Sequence, residues 1–170
     1  ILDSLDETVD FSIFDNDQDG WVENIFVVHS GVDQADLGSE SNESHIWSHN
    51  FELQYTSYGK YYATNDYNSM GKRVKINKYS IQPEIKTNME MVEISVFCHE
   101  FGHTLGLPDL YDTDGSSGGI GSWGLMSQSR IYYKNQVITH SPPHLSAWSK
   151  EILGWVIPIE INQNTENLKI

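Results

Sequence analysis

The segment His99-Glu100-Phe101-Gly102-His103, followed by Gly106 and Asp109, constrains this chain more than any other feature. On a helix, residues four apart differ by only about 40° around the axis. Both imidazoles then project from one face, one turn apart, and suit a single metal ion. Glu100 adjoins the first histidine, close enough to take a proton from zinc-bound water without ligating the metal. A catalytic zinc needs a third protein ligand. The next glutamate is Glu151, in a distant helical stretch. Asp109 is nearer, because Gly106 lets the chain reverse at the helix end. The full pattern is H-E-x-x-H-x-x-G-x-x-D. Chance placement would produce it in on the order of one in ten thousand such chains, so hydrolytic zinc chemistry outweighs a helix with two surface histidines.

A chain of 170 residues fits one domain, here residues 1–170. The net charge of −14 disfavours nucleic acid and anionic membranes as partners and favours divalent cations. No apolar run approaches the roughly 20 residues of a membrane span. Residues 1–6 read like the middle of an amphipathic helix, so the chain is expected to be a piece of a longer precursor. Cys98 is the single cysteine and reads as a small buried apolar side chain.

Residues 1–9 look helical. Ile25-Phe26-Val27-Val28-His29 reads as a buried strand. Residues 30–44 read as a loop, and residues 51–82 as strands and hairpins, with 74–81 the clearest strand. From 90 to 105 the period changes: Met91, Ile94, Phe97, Cys98, Phe101 and Leu105 mark the apolar stripe of a buried helix. Gly106 and Pro108 end it. Residues 112–124 form a Gly/Ser-rich loop. A last helix is expected over 143–153, with Leu145, Trp148 and Ile152 on one face and Gly154 as its stop. Strands first and helices later suggest an α+β architecture.

These blocks resemble the immune inhibitor A (M6) peptidases, which are metzincin-like zinc endopeptidases. Residues 97–112 resemble that family's zinc helix and turn. Asp15 to Gly31 resembles its acidic loop and strand. Ile46-Trp47-Ser48-His49, Gly121-Ser122-Trp123-Gly124-Leu125-Met126-Ser127 and Leu145 to Val156 resemble further blocks in family order. The resemblance implies a zincin-like fold with a mixed twisted sheet, an active-site helix and a C-terminal helix. It also implies a secreted endopeptidase, made with a pro-segment and often stabilised by calcium. The family strands that precede the acidic loop are absent, and the segment 112–121 is short.

Met126 stands 17 residues after Asp109, where the resemblance implies a Met-turn flooring the zinc ligands. Asp15, Asp17, Asp19, Gly20 and Glu23 follow D-x-D-x-D-G-x-x-E, and Trp21 would offer its carbonyl to a structural calcium. Crowded carboxylates repel, so a cation would explain an ordered loop; the plain alternative is an acidic turn leading into a strand. Asp112 either orients a ligand or starts the loop. Tyr132 and Tyr133 are candidates to stabilise an oxyanion, against ordinary strand aromatics. His45 and His49 lack an acidic neighbour for a second zinc site, and a hydrogen-bonded role beside the cleft fits them better. His29 reads as a strand-end histidine. The expected substrates are proteins or peptides, bound as an added strand along a sheet edge. The alternative is a catalytically silent, metal-stabilised extracellular binding or adhesion domain. The oligomeric state is not set by the sequence.

Overall fold

The computed structural model describes residues 1–37, 45–127, 131–133, 136–138 and 142–161. The β-branched run forms β1 (Ile25–His29). It pairs in parallel with β5 (Lys78–Pro83), which pairs antiparallel with β2 (His49–Glu52). The order β1-β5-β2 makes β2 an edge of a mixed three-stranded sheet. Between β2 and β5 the chain inserts a hairpin of β3 (Tyr62–Tyr67) and β4 (Arg73–Ile76). A second backbone hairpin joins β6 (Ile131–Tyr133) and β7 (Gln136–Ile138). The helices are α1 (Leu2–Leu5), α2 (Gln34–Leu37), α3 (Ile94–Thr104) and α4 (Ala147–Ile152). Helix and sheet are mixed, compatible with the α+β reading. No helix among the described residues is long and apolar enough to cross a membrane.

Several elements differ from expectation. The stretch 74–81 is two strands rather than one, broken at Asn77. That residue accepts from the main-chain N–H of Leu53 and Gln54 and donates to the Glu52 carboxylate. These bonds satisfy the backbone where the chain leaves the hairpin for the main sheet. The strand β1 is not buried: Phe26 and Val28 are half-exposed, because β1 is the other edge of the described sheet. Residues 1–9 form only a short helix, followed by a 3-10 turn at Phe11–Phe14. The expected loop at 30–44 contains the single-turn α2. In the last segment the helix proper starts after Ser146, whose hydroxyl caps the Ser149 N–H at 3.1 Å. Trp148 and Ile152 stay exposed, while Leu145 and Leu153 turn inward.

The largest correction concerns α3. It begins at Ile94, leaving Met91 exposed, and its apolar stripe is not its buried face. Ser95, His99, Glu100 and Gly102 are buried, while Ile94, Phe101 and Leu105 are partly open to solvent. The reason lies in what the helix packs against. On β2 and β5 its neighbours include polar side chains: Asn50 donates to Ser80 Oγ at 2.8 Å and to Thr104 Oγ1 at 2.9 Å. Phe97 and Phe101 meet Phe26 at the half-exposed β1 edge of the sheet, with centroids 6.4 and 5.9 Å away. Apolar packing is instead divided between two clusters. Phe11, Val22, Val74 and Ile76 centre one under the hairpin. Leu107, Leu125 and Met126 centre the other, with Cys98, Leu110, Leu145 and Leu153 against it. The second cluster lies directly beneath the histidine face of α3. Cys98, expected to be buried, packs there half-buried, and burial pushes its thiol up.

Candidate metal centre

The helix α3 presents His99 and His103 one turn apart, with ring centroids 4.9 Å apart and planes at 88°. Each ring is held from behind. His99 Nδ1 lies 2.8 Å from the Leu125 carbonyl oxygen, and His103 Nδ1 lies 2.8 Å from that of Leu107. A carbonyl can only accept, so each Nδ1 carries the proton and donates. In a neutral ring Nε2 is then a free electron pair, aimed at a common point.

The third donor arrives through the bend after the helix. Gly106 takes φ 92, the left-handed conformation that a side chain disfavours. Its N–H and that of Leu107 cap the His103 and Gly102 carbonyls at 2.9 and 3.0 Å. Leu107 plunges into the second cluster, and Asp109 comes back across the helix face. Asp109 Oδ1 lies 3.0 Å from His99 Nε2 and 3.3 Å from His103 Nε2. That oxygen is buried and accepts no hydrogen bond. Two ring nitrogens and a carboxylate oxygen thus face one another, a donor set that suits a metal cation held between them. The three donor atoms fall within 4.8 Å of one another. Ligands about 2.0–2.1 Å from a tetrahedral zinc would be separated by about 3.3 Å, so the set fits that ion.

Glu100 is almost fully buried beside this group. Burial pushes its carboxyl up; the His99 and His103 rings and the Asn50 main-chain amide pull it back, against the Asp109 charge. Met126 is wholly buried under the helix. Gly102 makes room for it, since a Cβ there would overlap the Met126 sulfur. Sequence reading missed this role of Gly102. The available signal was a glycine inside a helix, which costs about 1 kcal/mol relative to alanine and marks close packing.

Tyr111 was also missed. Its hydroxyl donates to Asp109 Oδ2 at 2.9 Å, and its ring stacks on His99 at 6.4 Å and 18°. Burial, then the bond to Asp109, pushes its phenol up. The hydrogen bonds that Asp112 makes in the structure lie within its own loop. It accepts from the amides of Asp114 and Ser117 and from the Ser116 hydroxyl, so it organises its own loop. The side chains of Tyr132 and Tyr133 lie outside the described part of the structure. His49 is engaged by the Trp47 carbonyl at 2.7 Å and Tyr79 at 3.2 Å, and His29 by the Ser30 carbonyl at 2.9 Å. Neither belongs to a metal-type cluster among the described residues. Glu151 is exposed on α4 and is not part of the histidine–aspartate group.

In the acidic loop the carboxylates of Asp15, Asp17 and Asp19 converge within 4.8 Å. Asp15 is 1% exposed. Its Oδ2 accepts from the Gly20 N–H at 3.0 Å and the Asn68 amide at 2.6 Å, while its buried Oδ1 has no partner. Glu23 does not join the group; it accepts from the Asn16 N–H at 3.0 Å. Trp21 is held through its own N–H by Asp19 at 2.8 Å.

A two-histidine helix laid beside a mixed sheet, with an aspartate folded back onto both rings, defines a zincin-like peptidase domain. The chain belongs to the immune inhibitor A peptidase M6 family, whose catalytic domain it matches over residues 3–156. It is 27% identical to immune inhibitor A of Bacillus thuringiensis subsp. alesti over 160 residues, 89% of this chain and 22% of that protein. It is 28% identical to the pre-pro-metalloprotease PrtV of Vibrio cholerae over 142 residues, 79% of this chain and 14% of that protein. The chain therefore spans no more than about a fifth of the length of these curated relatives.

Proposed function

We propose that this domain is a zinc endopeptidase of metzincin-like type, in which His99, His103 and Asp109 hold the ion and Glu100 is the general base. The observation that carries the reading is the convergence of two ring nitrogens and a carboxylate oxygen that accepts no hydrogen bond, beside a buried glutamate. Zinc held by these three residues would supply Lewis acidity for the scissile carbonyl and for water. Glu100 takes the proton as the water oxygen bonds to the carbonyl carbon. It then returns that proton to the amide nitrogen as the C–N bond breaks. Desolvation of Glu100 favours its accepting a proton. Met126 floors the histidine face in the manner of a Met-turn.

Substrate would lie as an extended strand along the outer edge of β2, which packs against α3 through Asn50. Asp15, Asp17 and Asp19, with the Trp21 carbonyl, would hold a structural calcium; the buried, unpartnered Asp15 Oδ1 supports this. The whole protein is taken to be a secreted protease of peptide or protein substrates; the protease part of that reading agrees with the name of one relative, a pre-pro-metalloprotease. The competing reading, a silent metal-stabilised adhesion domain, has no use for a buried base beside the metal. Replacement of Glu100 by alanine decides between them. Casein cleavage should fall at least about 100-fold, with zinc content and melting temperature near wild type. Undiminished cleavage would remove the mechanism.

A further inference from the structure

We propose that Tyr111 is a positioning residue that fixes Asp109 as a one-oxygen metal ligand. The inference rests on the zinc reading above. The three donors are not restrained alike. Each histidine has its far nitrogen tied to a main-chain carbonyl, so ring and tautomer are set together. Asp109 comes from irregular chain after the Gly106 bend and is only partly buried. A carboxylate left to itself can turn about its last bond, binding through either oxygen or both. The Tyr111 hydroxyl removes that freedom. It holds Oδ2 at 2.9 Å and leaves Oδ1 facing both ring nitrogens. Tyr111 thus does for Asp109 what the Leu125 and Leu107 carbonyls do for the histidines.

The tyrosine is itself held on two sides. Immediately before it, the Leu110 N–H donates to the Met126 carbonyl at 2.6 Å, tying the segment to the floor of the site. Behind it, the loop 112–119 folds back. Asp112 gathers that loop through the amides of Asp114 and Ser117. Gly119 then presses against the backbone of Leu110, Tyr111 and Asp112, where any Cβ would overlap main-chain atoms. Stacking on His99 fixes the plane of the ring. The Gly/Ser-rich loop therefore acts as a tied support for one phenol, which accounts for its short, glycine-dense sequence.

The test uses Tyr111→Phe, which deletes one oxygen from a partly exposed side chain. Zinc affinity is read by chelator competition, and geometry by the visible absorption of the cobalt-substituted protein. Affinity should fall roughly 10- to 100-fold and the cobalt bands should change, with the melting temperature of the metal-free protein unchanged. In an Asp109→Ala background the same replacement should produce no further loss of affinity, because the hydroxyl acts through the carboxylate. Affinity within twofold of wild type and superimposable cobalt spectra would overturn the proposal. So would an affinity loss of equal size in the Asp109→Ala background. Failure of the parent reading is distinguishable: wild-type protein would then take up no stoichiometric zinc or cobalt, or Asp109→Ala would bind as tightly as wild type.

Discussion

Met126 occupies the space that a side chain on Gly102 would need, so the floor of the site and the helix above it are fitted to one another by a missing methyl group. A Cβ at Gly102 would overlap the Met126 sulfur and approach its Cε to 3.0 Å. Gly102→Ala should gain up to about 1 kcal/mol of helix propensity and lose about 1–3 kcal/mol to overpacking. The net result should be a lower melting temperature together with weaker zinc retention, because Leu125, which holds His99, adjoins Met126. Thermal unfolding with and without chelator reads both. An alanine variant as stable and as zinc-loaded as wild type would show that Met126 relocates without consequence.

The acidic loop gives a second prediction. Calcium added to protein that retains zinc but has been freed of calcium should raise the melting temperature. At a hundredfold excess over its Kd the gain should be about 2.7 kcal/mol. Asp15→Asn should remove most of that response, since it neutralises the carboxylate of the acidic loop whose free oxygen is buried. Differential scanning calorimetry across a calcium series measures it; a flat series for wild type would dispose of the calcium site.

Activity should peak at neutral to mildly alkaline pH. Imidazole ligands bind metal only when neutral, and free imidazole protonates near about 6.5. A carboxylate ligand also donates negative charge to the ion and leaves its water less acidic than three histidines would. Asp109→His, provided it retains zinc, should therefore shift the acid limb of the kcat profile downward. A wild-type optimum below about pH 5, or an upward shift in the variant, would contradict this.

Asp112 supplies a stability prediction of definite sign. The Asp114 amide first, then the other hydrogen bonds of its loop, hold its carboxyl well below the usual range against a smaller desolvation effect. A group whose folded pKa is depressed contributes stability above its unfolded value, and loses it as pH falls through the folded value. The loop 112–119 should thus keep its amide protection down to about pH 4, the ordinary carboxylate value, and lose it only below. Asp112→Ala should expose the Ser117 amide to exchange at neutral pH. Hydrogen exchange followed by mass spectrometry reads the segment; equal protection in variant and wild type would refute the role.

The sequence alone determined what depends on local spacing. Two histidines four apart, a glycine at the helix end and an aspartate three residues on are a statement about one helix turn and one bend, and chain geometry carries them into proximity. The strand at Ile25–His29, the acidic loop with Gly20 and the helix stop at Gly106 were legible for the same reason. Only the tertiary structure decided which face of α3 is buried, because that depends on neighbours remote in the chain. Period alone pointed to Phe97, Phe101 and Leu105, yet Asn50 and Ser80 brought polar groups to the sheet side of the helix. Asn77 likewise divided the strand expected over 74–81 between two sheets. Leu125, Leu107 and Tyr111 restrain the three donors through contacts at separations from 26 residues down to two. Such a restraint arises from where a carbonyl or hydroxyl comes to rest in space, and residue type and spacing do not encode that by themselves.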